Sequence, residues 1–111
     1  GDLDGNSATE QDLGWTSLVD APLHPEYPCA HCNTSAAFGT VVLGLAPPGK
    51  RLVIRSGNNP PREYESAAAL AAEVVNARVW SGIHFRNSAE TGAAMGKRVG
   101  EYILMQLKPL P

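Results

Sequence analysis

Apolar residues recur along this chain at two periods, and the change of period marks out its elements. After His31, residues Ala36, Ala37, Val41 and Leu45 fall at helical spacing until Pro47, Pro48 and Gly49 stop the run, which predicts a first helix. Leu52 and Ile54 then alternate with Arg51, Val53 and Arg55, predicting a short extended segment over 50–56 and a loop from Ser56 to Pro61. A second helix is predicted from near Glu65 and Ser66 through Ala67, Leu70, Ala71, Val74 and Val75 toward Arg78. Its consecutive alanines favour helix and permit close packing. Trp80, Ser81 and Gly82 are expected to break it. The last helix is predicted over about 89–107, with Met95, Val99, Tyr102, Ile103 and Leu107 as its apolar stripe. Gly92, Gly96 and Gly100 recur in it every fourth residue. Each costs about 1 kcal/mol relative to alanine, so their spacing predicts a neighbouring helix pressed against them. The same spacing makes a membrane dimer motif only in an apolar segment, which Lys97, Arg98 and Glu101 exclude.

Upstream the period is weaker. Residues 1–23 read as a polar arm interrupted by Gly5, Gly14 and Pro22, with a short helix expected within Thr9 to Leu18 and with Trp15 and Leu18 facing inward. Asp2, Asp4 and Asn6 resemble the opening of a calcium loop, but Ser7 and Leu13 stand where such a loop needs Gly and a bidentate Glu. A solvated acidic arm is the preferred reading. From His24 to Cys32 a helix is excluded, because Pro25 and Pro28 remove donors and push their predecessors to extended geometry. That stretch becomes a rigid lead-in to a helix N-terminus, where backbone N–H groups and the helix dipole favour an anion near Cys29 to His31. The expected architecture is therefore mainly α. It is a bundle of about three to four helices with a long extended segment, one domain over 1–111, with the arm at 1–23 and the helical region at 24–107.

Composition narrows the function classes. A chain of 111 residues supports one modest core. No apolar run approaches membrane-span length, so a soluble protein without a membrane span is expected. A formal charge of -2 with only 6% aromatic residues argues against a nucleic-acid partner. The opening Gly-Asp-Leu-Asp-Gly, without Met or an apolar leader, predicts a processed mature form or a cut fragment. The compartment stays open, with a secreted or extracellular setting preferred, and only there would the sequon Asn33-Thr34-Ser35 matter. Cys29 and Cys32 are spaced for a disulfide, a redox pair, half of a soft-metal site completed by His24 or His31, or two idle thiols.

The candidate chemistry centres on Arg78 and His84. A fixed guanidinium and a titratable imidazole, six positions apart across a Ser-Gly break, suit an anion. The run Arg78 to Arg86, with Gly82-Ile83-His84-Phe85-Arg86 at its centre and an alanine-rich helix before it, resembles the third motif of the vanadium-dependent haloperoxidase and type 2 phosphatidic-acid phosphatase superfamily. Pro28-Cys29-Ala30-His31, led in by His24-Pro25-Glu26-Tyr27, occupies the place of the second motif. The resemblance runs from about Leu23 to Leu107, and Arg62-x-Tyr64-Glu65-Ser66 is closer to the haloperoxidase branch. It implies the C-terminal part of a helical bundle whose pocket holds vanadate or phosphate. His84 would ligate vanadium or attack phosphorus, His31 would be its acid-base partner, and Arg78 would neutralise oxyanion oxygens. Cys29 and Ala30 would line the anion at the helix N-terminus. Vanadate is the implied cofactor, and a small oxyanion or small-molecule substrate the implied ligand. His24 is read as a turn residue.

Three departures from the superfamily pattern alter this expectation. Its Lys and Arg-Pro motif has no counterpart upstream of His24, Ser88 stands where it has the Asp that orients His84, and Cys29 and Ala30 replace its Ser and Gly. The lone chain is thus expected to be a weak or inactive catalyst. A missing N-terminal segment, another chain, or one of Arg51, Arg55, Arg62 and Arg86 would have to restore charge. The glycine-lined helix and short chain predict a dimer or larger species. The rival class is a non-catalytic binding or defence protein on a retired enzyme scaffold, with Cys29 and Cys32 as a disulfide. A further rival, thiol redox chemistry, comes from Cys29-Ala30-His31-Cys32, which resembles the Cys-x-His-Cys motif of disulfide oxidoreductases but lacks the strand before it.

Overall fold

The structure is a computed structural model and describes residues 6–107. Helix α1 (Ala30–Leu45) leads into strand β1 (Leu52–Ile54), strand β2 (Arg62–Tyr64), helix α2 (Ala67–Trp80) and helix α3 (Arg86–Gln106). The mainly helical expectation holds. Asp2 and Asp4, the start of the acidic opening, lie outside the described residues.

Each boundary has a local cause. Cys29 caps α1, its sulfur accepting the Cys32 N–H at 3.1 Å, and Ala46 in extended conformation ahead of Pro47 and Pro48 ends it. Ser66 caps α2 by accepting the Ala69 N–H at 3.1 Å. Ser66→Ala is expected to lower unfolding free energy by about 1 kcal/mol in chemical denaturation. The strands pair antiparallel with Leu52 opposite Tyr64 and Ile54 opposite Arg62. Strand β2 departs from the loop-to-helix reading of this stretch. Three residues with a single apolar side chain carry no alternation to detect, and pairing with β1 decides their conformation.

The long axis of the fold is the contact between α1 and α3. Gly92 lies against the Cys29 carbonyl, Gly96 against the Asn33 carbonyl, and Gly100 against Thr40. A Cβ at any of the three would overlap α1, so the glycine spacing acts as predicted. The apolar stripe does not. Met95, Val99, Tyr102, Ile103 and Leu107 are all exposed, while Ser88, Ala89, Gly92, Gly96 and Gly100 are buried. The small-residue face packs because it lets two backbones approach within carbonyl contact, which bulky side chains would prevent. The centre is accordingly built from small residues: Cys29, Cys32, Val75 and Ala89, with Val74, Val79 and Ala93 around them.

The arm also differs from expectation. No helix forms over Thr9 to Leu18, and Trp15 and Leu18 are 61% and 81% exposed. Gly14 interrupts the stretch and bonds to the Asp12 side chain. The arm instead lies along the α2–α3 turn, where the Leu18 N–H donates to the Ser81 carbonyl at 3.1 Å and Trp15 covers Gly82.

Candidate functional site

The spacing of Arg78 and His84 is closed by main-chain hydrogen bonds. After the last turn of α2, the Ile83 and His84 N–H groups both approach the Arg78 carbonyl, at 3.2 and 3.4 Å. Gly82 makes this reversal at φ 74°, a conformation that side chains disfavour. His84 is thereby folded back under the end of the helix that carries Arg78. The other side of the site, the His24 to Pro28 loop, is held from α3: the Cys29 N–H donates to the Ser88 carbonyl at 3.2 Å. This places the start of α1, with His31, beside the start of α3.

Hydrogen bonding fixes the imidazoles. The His84 side chain is fully buried, and its Nδ1 donates to the Glu26 carbonyl at 2.6 Å. A carbonyl can only accept, so a neutral His84 carries its proton on Nδ1 and its lone pair on Nε2. His24 repeats the pattern, with Nδ1 3.1 Å from the Pro25 carbonyl. The His24 ring stacks on His84 with centroids 5.6 Å apart and lies 6.1 Å from that of His31. Among the described residues, His24 Nε2, His84 Nε2, and Arg78 Nε and Nη2 are buried without a hydrogen-bond partner. A buried polar group left unpaired costs about 1–3 kcal/mol, so four such atoms are an unusual concentration.

Electrostatics ties His31 to the same group. Partial desolvation, then the charge of Arg78, then those of His24 and His84, hold the His31 imidazole below its ordinary range. The unfolded chain therefore takes up this proton first as pH falls. Stability associated with His31 is present above about pH 6.5 and declines as pH drops through that value. His31→Gln is expected to flatten the melting temperature between about pH 7 and pH 5. Glu26, on the far side of His84, moves the other way. Desolvation raises its pKa, but the Phe85 N–H, Ser88 and His84 outweigh it and hold the carboxyl below its usual range.

His31, Arg78 and His84 thus lie near one another, and His24 joins them. His24 does sit in a bend, its N–H donating to the Pro22 carbonyl at 2.8 Å, and its ring also stacks on the buried His84 imidazole, a place that no local pattern signals. His84 is also better supported than Ser88 alone would allow, through Glu26. Of the candidate replacement cations, Arg51 pairs with Glu63 and Glu65, Arg62 with Glu73, and Arg86 bonds to Asn76, so these three are committed elsewhere. Cys29 and Cys32 form a buried disulfide at the start of α1, the staple among the readings their spacing allows. Ala30 opens α1 and is exposed. No group of three or more His, Cys, Asp or Glu side chains among the described residues could hold a metal ion by itself. A cavity of about 550 Å³ lies between the arm and the α2–α3 turn, walled by Trp15, Val79, Ile83 and His84 among others. It does not reach His31 or Arg78, and is a neighbour of the cluster rather than its interior.

Comparison with known proteins adds one match. Residues 1–110 fit the family described as the VCPO second helical-bundle domain. No curated protein matches the chain. No helix among the described residues is long and apolar enough to cross a membrane.

Proposed function

The chain belongs to the VCPO second helical-bundle domain family, within the vanadium-dependent haloperoxidases, and from that premise we propose that His24, His31, Arg78 and His84 bind a tetrahedral oxyanion, vanadate foremost, for peroxide-dependent halide oxidation. The observation that carries this reading is the set of buried, unpartnered nitrogens on His24, Arg78 and His84. An oxyanion fits them. Its oxygens accept from the two Arg78 donors, and a guanidinium matches a tetrahedral oxyanion better than a point charge does. The His84 Nε2 lone pair suits a metal centre, and its Nδ1 proton is held by an oxygen on the other side, the arrangement usual for metal-bound imidazoles.

Bound vanadate would supply the electrophilic centre that activates peroxide toward a halide. The residues supply the rest. Arg78 fixes the anion and offsets its charge. His84 holds it from one side through Nε2. His31 stays largely neutral near pH 7, so an imidazole nitrogen can accept a proton from an incoming small molecule and return it to a departing oxygen. His24, stacked on His84, presents its unpartnered Nε2 toward the same anion.

The test is thermal unfolding with orthovanadate, orthophosphate or sulfate, alongside an assay of bromide oxidation by peroxide. Vanadate at a hundred times its dissociation constant is expected to add about 2.7 kcal/mol of stability, and vanadate-dependent bromide oxidation should accompany it. A shift without turnover would favour the non-catalytic binding reading. No shift with any of the anions would sink the oxyanion site.

A further inference from the structure

We infer that Glu26 is the positioning residue for His84, supplying from the His24 to Pro28 loop the carboxylate that Ser88, one helical turn beyond His84, does not provide. The inference rests on the oxyanion reading only for what His84 does once positioned. It is carried by four distances that meet at one point. Glu26 offers His84 Nδ1 its carbonyl at 2.6 Å and its carboxylate Oε1 at 3.3 Å. The same Oε1 accepts the Phe85 N–H at 3.0 Å, and the Ser88 hydroxyl donates to the Glu26 carbonyl at 2.6 Å.

Any residue at this position could offer the carbonyl, but only an acidic one adds the charge. Two features hold that charge in place. Phe85 caps α3 without a side-chain hydrogen bond, so the Glu26 carboxylate takes over the free N–H and sits at the positive end of the helix dipole. Ser88 is 1% exposed and its hydroxyl has the Glu26 carbonyl as acceptor, which locks the loop against α3. Serine thereby keeps a structural part of the position while the carboxylate comes from 62 residues upstream.

The experiment compares the intact chain, Glu26→Gln and Glu26→Gln/Ser88→Asp. Nitrogen-15 histidine spectra are recorded without any anion, and orthovanadate affinity is then measured. In the intact chain the His84 Nδ1 proton should be far downfield and Nε2 unprotonated. Glu26→Gln should move the Nδ1 proton upfield and weaken vanadate binding about 10- to 100-fold. Ser88→Asp should restore both by returning a carboxylate to Nδ1. Unchanged imidazole signals in Glu26→Gln would overturn the inference, even if melting temperature fell, because that pattern describes a helix cap alone. If Glu26→Gln does not fold, the double variant decides. Recovery of the fold with the wild-type signal supports the inference, and a folded protein without that signal overturns it. Absence of vanadate binding in the intact chain would defeat the oxyanion reading and leave the imidazole spectra to judge Glu26.

Discussion

Gly96→Ala is expected to lower unfolding free energy by about 2 kcal/mol, with a melting temperature about 8 °C lower. Two opposed terms give this result. Alanine is the better helix former by about 1 kcal/mol, so on an open helix face the change would stabilise. In this fold the added Cβ overlaps the Asn33 carbonyl of α1, a main-chain group that cannot rotate away, and overpacking of this kind costs about 3 kcal/mol at the upper end of its usual range. The sign of the effect therefore reports which face of α3 is inward. Val99→Ala, on the exposed apolar stripe, should change stability by less than about 0.5 kcal/mol. Thermal melts of the two variants decide between the glycine face and the apolar face.

Arg78→Met is expected to separate stability from binding. Without an anion, Arg78 holds two buried donor atoms that have no partner among the described residues. A methionine of similar length would remove that desolvation cost and keep the packing, raising unfolding free energy by about 1 kcal/mol. The same change removes two charge-assisted hydrogen bonds from a bound oxyanion. Together these are worth about 3 kcal/mol, so vanadate affinity should fall about 100-fold. A structural arginine would behave oppositely, with Arg78→Met destabilising and anion affinity unaffected. Calorimetric binding and thermal melts on the same sample distinguish the two.

These expectations also show which features a sequence can carry. The three helices were legible because periodicity, a serine cap and a proline stop act within one or two turns. That α3 packs closely through Gly92, Gly96 and Gly100 is legible for the same reason, but which helix fills that face is not: the spacing marks a close neighbour without naming α1. The apolar stripe misled because periodicity reports which face is more apolar, whereas this interface is chosen by size. An inward Trp15 and Leu18 require a helix that Gly14 interrupts, and both residues lie along a turn instead. At the site, Arg78 and His84 could be read together because a short turn joins them. His24 and Glu26 could not. Their roles come from a proline-bent loop meeting the start of α3, a contact across 58 positions between Glu26 and His84 that no local pattern encodes.

The unpaired nitrogens around His84 are the proposed anion site. Isothermal titration of orthovanadate into the intact chain at neutral pH, with His84→Ala alongside, tests it most directly. A micromolar dissociation constant with one anion per chain is expected, lost in His84→Ala while that variant still melts cooperatively. Equal binding by both proteins, or none by the intact chain, would contradict it.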